Sequence, residues 1–119
     1  MRISEIVRLL GAEIVCGKQN LEVEVSSACG ADLMSDVLAH SRSHMLLLTG
    51  MTNLHVIRTA EVLDIDCITF VRGKKVPPEI IELAEGVGMT ILSTAKTLYT
   101  ACGLLYQAGL RGTAGDACP

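Results

Sequence analysis

Residues 45–105, MLLLTGMTNLHVIRTAEVLDIDCITFVRGKKVPPEIIELAEGVGMTILSTAKTLYTACGLL, decide the fold. Met45 to Leu48 is an unbroken apolar run, and Thr49-Gly50-Met51-Thr52-Asn53 is a turn that caps the next helix. Leu54, Ile57, Ala60 and Leu63 then recur at helical spacing, with His55, Arg58 and Glu61 turned away from that stripe. The pattern repeats. Cys67 to Val71 reads as a strand, Arg72-Gly73-Lys74-Lys75 as a loop, and Pro77-Pro78 as a helix start, where a missing N–H costs nothing. Ile80, Leu83, Ala84 and Val87 face inward, Glu79, Glu82 and Glu85 face water, and Gly88 stops the helix. Met89 to Leu92 is a third strand, and Ser93-Thr94 caps a last helix with the stripe Leu98, Ala101, Cys102 and Leu105. Three strand–loop–helix units in succession imply right-handed crossovers and a mostly parallel sheet flanked by helices, an α/β fold.

Upstream the pattern is looser. Ser4 opens a short helix that Gly11 stops, Ala12 to Cys16 is a strand, and Gly17-Lys18-Gln19-Asn20 is a turn. Leu21-Glu22-Val23-Glu24-Val25 alternates apolar and polar as a half-exposed edge strand does, and Ser26 to Ala31 continues it inward. Asp32 caps a short helix through Leu33, Val37 and Leu38. Residues 1–110 form one domain, and 111–119 are a small polar tail without order.

Composition narrows the function. Half the residues are hydrophobic, but only Phe70, Tyr99 and Tyr106 are aromatic, so the core is aliphatic. A formal charge of −3 with scattered Lys and Arg offers no basic stripe for nucleic acid and no stacking platform. No apolar run is long enough to cross a bilayer, and the first residues lack a secretory pattern. Five cysteines without a C-x-x-C pair read as reduced thiols of a cytoplasmic protein, with Cys16, Cys29, Cys67 and Cys102 in the core and Cys118 in the tail.

A parallel arrangement sends the loops after Leu48, Val71 and Leu92 to one rim, the carboxyl edge, where open α/β sheets bind ligands. Thr49, Gly50, Thr52 and Asn53 would bring hydroxyls, an amide and free N–H groups to that rim. Arg72, Gly73 and Lys74 add positive charge, and Ser93 and Thr94 a further pair of hydroxyls. Together they suit a phosphate or carboxylate, although Asn53 and Thr94 also read as plain helix caps and Arg72 and Lys74 as solvated. Asp32 and Asp36 are a second candidate, since paired carboxylates hold metals or move protons; an N-cap and a first-turn acid explain them more simply. His40 and His44 have zinc spacing but lack the accompanying Glu, and His55 stands alone. No phosphate-loop, nucleophile-elbow or cofactor motif is present, so neither a metal nor a cofactor is expected.

The opening Met1-Arg2-Ile3-Ser4-Glu5-Ile6-Val7, the segment Asp32-Leu33-Met34-Ser35-Asp36-Val37 and the closing Ile91-Leu92-Ser93-Thr94 resemble stand-alone DRTGG-domain proteins over roughly residues 1–110. The resemblance implies the fold of the N-terminal domain of HPr kinase/phosphorylase. It also implies a regulatory or dimer-forming role, as where the module accompanies CBS domains or phosphate acetyltransferases. Stand-alone relatives near iron-hydrogenase genes imply a partner protein in energy metabolism. The family's naming string is absent, its Gly-Asp-Arg-like turn falling at Gly50-Met51-Thr52. The expectation is a non-catalytic regulatory module, a homodimer given its mean hydropathy of +0.44, that senses a small anionic metabolite or nucleotide. The alternative is a small enzyme using the same loops, or Asp32 and Asp36, on a phosphorylated or nucleotide substrate.

Overall fold

A computed structural model describes residues 1–40 and 44–112, with the side chain of His40 left aside. Among the described residues the chain runs through five α-helices and five strands, with a 3-10 turn at Lys18–Asn20: α1 (Ile3–Leu10), β1 (Glu13–Cys16), β2 (Ser27–Gly30), α2 (Met34–His40), β3 (Met45–Thr49), α3 (Leu54–Val62), β4 (Cys67–Phe70), α4 (Pro78–Gly86), β5 (Thr90–Ser93) and α5 (Leu98–Gln107). The five strands form one sheet in the order β1-β5-β4-β3-β2. Strands β2 to β5 run parallel, and β1 closes one edge antiparallel to β5.

Each step from β2 to β5 moves one place in the same direction. Right-handed crossovers then put every connecting helix on one face. Accordingly Met34 and Val37 of α2, Val56, Ile57 and Ala60 of α3, and Ile80 and Ala84 of α4 share one core with Leu47, Ile68, Phe70 and Ile91. The terminal helices cover the other face, where Ile3, Ile6 and Leu10 of α1 and Ala101 and Leu105 of α5 pack on Leu46, Leu48, Cys67 and Leu92. The period-2 alternation of the strands feeds both cores, which is why β3 and β4 read as continuous apolar runs: every residue of both is buried. Each large apolar side chain among them contributes about 1.5–3 kcal/mol by leaving water.

Several boundaries differ from the expectations. Arg2, not Ser4, precedes α1, with its backbone N–H donating to Glu5 Oε1 at 3.2 Å. Residues 21–25 do not form an edge strand; they wrap α1, with Ser4 N–H donating to the Leu21 carbonyl and a single bridge between Arg2 and Glu24. Alternation in so short a segment reports one half-buried face, and here helix α1 supplies the other side. The edges are instead β1 and β2. In α3 the buried side is Val56, Ile57, Thr59 and Ala60, while Leu54 is exposed. Val87 at the end of α4 is exposed too. Cys16 and Cys67 are buried, and Cys29 and Cys102 half-buried. Of the expected tail, the Arg111 carbonyl accepts the Ala28 N–H at 2.9 Å, and Arg111 lies 4.2 Å over the Tyr106 ring. Residues 113–119, Cys118 among them, lie outside the described residues.

Candidate anion site at the carboxyl rim

Four parallel strands deliver four outgoing turns to one rim: Asp32 after β2, Thr49-Gly50 at the end of β3, Arg72-Gly73 after β4 and Thr94 to Lys96 after β5. The strand order never reverses along this parallel run, so the rim lacks the crevice that a topological switch point opens. The site is therefore built from the turns themselves, backbone N–H groups as well as side chains.

Its centre is Asp32. This residue does not cap α2, which begins two residues later. Instead Oδ1 accepts the Gly50 N–H at 2.7 Å and the Thr49 hydroxyl at 3.2 Å, while Oδ2 stands 3.8 Å from Arg72 Nη2. A carboxylate can satisfy donors on a neighbouring strand as well as on its own helix, and here tertiary proximity decided. Asp36 remains in the first turn of α2, so the two acids form no pair on one helix face.

Arg72 is held by its backbone. It has φ +65°, followed by Gly73 at +63°. A non-glycine residue in that region costs about 1–2 kcal/mol. The turn is fixed by Arg72 N–H donating to the Lys96 carbonyl at 2.8 Å and Gly73 N–H to that of Thr94 at 2.9 Å. The guanidinium lies over Gly50, in the space that a β-carbon there would need. With the side chains of Arg72 and Asp32 48% and 44% exposed, the pair contributes less than about 1 kcal/mol.

The other expected site residues divide. Asn53 caps α3, accepting the Val56 N–H at 3.1 Å, and Thr52 is half-buried beside it. Thr94 does not cap α5; it is buried and donates to the Leu10 carbonyl at 2.8 Å, and Thr97 caps the helix. Ser93 is half-buried at the end of β5. Lys74 is exposed on the loop, with Lys75 beside it, and Lys96 is half-buried in the turn after β5, its carbonyl accepting the Arg72 N–H. Lys96 was not anticipated from the sequence; its place next to Arg72 depends on β4–β5 pairing.

The opposite rim differs in sign. A cavity of about 250 Å³ opens there over Ile65 and Met89, lined by Glu61, Asp64 and Asp66. His44 Nδ1 stands 3.0 Å from Asp66 Oδ2, and Ser41 to Ser43, between His40 and His44, lie outside the described residues. Among the described residues no three His, Cys, Asp or Glu side chains are grouped to hold a metal ion. Nor is any helix among them long and apolar enough to cross a membrane. Burial raises the thiols of Cys16, Cys29, Cys67 and Cys102 above the ordinary range, which keeps them protonated and poorly nucleophilic.

The DRTGG domain profile matches residues 5–108. The chain belongs to the DRTGG family. Among solved structures, this DRTGG domain is similar to the CBS and DRTGG domains of the regulatory region of a Clostridium perfringens pyrophosphatase, crystallised with its activator diadenosine tetraphosphate. The TM-score is 0.74 at 18% identity, over 90% of this chain but 46% of that one. The match therefore bears on the fold, and the chain spans less than half of the longer relative. No curated protein matches the sequence.

Proposed function

We propose that this DRTGG domain is a non-catalytic regulatory module that holds a small anionic metabolite, of the nucleotide kind, at its carboxyl rim. The observation that carries the reading is Arg72: a half-exposed guanidinium, set by a constrained backbone turn over Gly50, near N–H and hydroxyl donors that already hold a carboxylate. Lys74, Lys75 and Lys96 reinforce the sign, while the opposite rim is acidic and suits no anion. That the similar pyrophosphatase region was crystallised with a nucleotide activator supports a regulatory use of the fold.

A module without its own chemistry must hand its occupancy to something else. Leu33 and Met51 are exposed in the turns at the rim, Leu38 on α2 and Leu54 at the start of α3. We infer that they meet a second copy of the chain in a cytoplasmic homodimer, and that a partner enzyme reads the result. A thermal-shift panel of adenine nucleotides and phosphorylated metabolites tests the ligand, since binding to the native state alone raises its melting temperature. A rise that Arg72→Ala abolishes is the expected result. No shift with any anion would overturn the sensing role, and light scattering that gives only monomer at high concentration would overturn the dimer.

A further inference from the structure

The donors that make this rim attractive to an anion are not free. Gly50 N–H and the Thr49 hydroxyl converge on one oxygen of Asp32, and Arg72 faces the other. We propose that the Asp32 carboxylate is a tethered stand-in for a ligand's phosphoryl group, and that a phosphate-bearing ligand takes its place and releases the start of α2. This rests on the rim being the anion site.

Three observations support displacement over a fixed structural role. The Asp32 carboxylate takes its hydrogen bonds from Thr49 and Gly50 rather than from its own helix: α2 starts at Met34, and the Asp36 N–H is taken by the Leu33 carbonyl. Its side chain is 44% exposed, so it swings into water without a burial penalty. And α2 is thinly anchored: Met34 and Val37 are buried, whereas Leu33 and Leu38 are 61% and 54% exposed. The Asp32 contacts thus lie just beyond the Ala31 N–H bond to the Leu48 carbonyl at 3.0 Å, and together these tie the entry of α2 to β3.

The same geometry selects the ligand class. A group tethered in the chain competes at an effective concentration on the order of millimolar or higher. A free carboxylate offers these donors the same chemistry and gains little over Asp32. A phosphoryl group brings a charge of about −1.5 to −2 and three acceptor oxygens, enough to engage Arg72 and Gly50 together. The site should therefore discriminate phosphoryl from carboxyl groups.

Calorimetric titration with inorganic pyrophosphate, with malonate as control, reads this directly. Pyrophosphate should bind the wild-type chain weakly, Asp32→Ala at least tenfold more tightly, and neither chain once Arg72→Ala is added. Asp32→Asn, which keeps an acceptor oxygen without the charge, should fall between. In the wild-type chain pyrophosphate should speed hydrogen exchange in α2, a measurement that stands even if Asp32→Ala fails to fold. Arg72-dependent binding that Asp32→Ala leaves unchanged or weakens, slower exchange in α2, or equal binding of malonate would overturn the displacement and leave the rim site standing. Binding of pyrophosphate to none of these proteins would overturn both.

Discussion

The guanidinium of Arg72 occupies the space in which a side chain on Gly50 would begin. Two turns of the carboxyl rim are thereby coupled: the one after β3 is bare so that the one after β4 can reach across to Asp32. The obstruction is the far end of a flexible side chain, so Gly50→Ala should move Arg72 without breaking the backbone. We expect a stability loss within about 1 kcal/mol, roughly 4 °C in melting temperature. Anion binding should fall about tenfold, one factor of ten being about 1.4 kcal/mol. Equal losses in binding and in stability would show instead that Gly50 serves the backbone.

Gly17 presents the opposite situation. Its φ is +85°, and a β-carbon there would lie 2.6 Å from the Cα of Thr90, a backbone atom of β5 that cannot rotate aside. Gly17→Ala should therefore cost about 2 kcal/mol or more, from left-handed strain plus the collision. Urea denaturation measures it. Gly11→Ala, at φ +57° with open space around it, should cost only about 1 kcal/mol and calibrates the strain alone.

Thr94 stands at the rim in sequence but serves the core. Its hydroxyl donates to the Leu10 carbonyl, one of the unpaired acceptors at the end of α1. Thr94→Val keeps the shape and removes both this donor and the oxygen that accepts the Lys96 N–H at 3.3 Å, so it should cost about 1–2 kcal/mol. Pyrophosphate affinity should be unchanged. A variant of full stability with lost binding would return Thr94 to the site.

Cys67 sets a pH dependence. Its thiol is buried in the aliphatic core, and desolvation raises its pKa far above the ordinary value of 9.0. Below that value both folded and unfolded chains hold the proton, and the thiol's contribution to stability is fully present. As pH rises past it only the unfolded chain loses the proton, so stability falls by up to about 1.4 kcal/mol per pH unit. Denaturation series at pH 8, 9 and 10 should be steeper for the wild-type chain than for Cys67→Ala. Parallel series would mean that Cys67 ionises in the folded protein.

From Met45 onward the β3–α3–β4–α4–β5–α5 succession is legible in apolar runs, in Pro77-Pro78 and in Asn53, because strand burial and helix capping act over a few neighbouring residues. The common rim of the outgoing turns follows from parallel pairing, and the basic character of Arg72 and Lys74 could be read there. Asp32 could not. Sequence alone made it a helix cap, since its true donors at Thr49 and Gly50 lie 17 and 18 residues away. Thr94 and residues 21–25 failed in the same way, each taking its partner from α1.

From Met45 onward the sequence by itself determined the elements, their order and the handedness that gathers three of the four turns at one edge, all consequences of local periodicity and backbone chirality. Only the tertiary structure decided which polar groups meet there, because a hydrogen bond depends on angstrom-scale separation in space rather than on spacing along the chain.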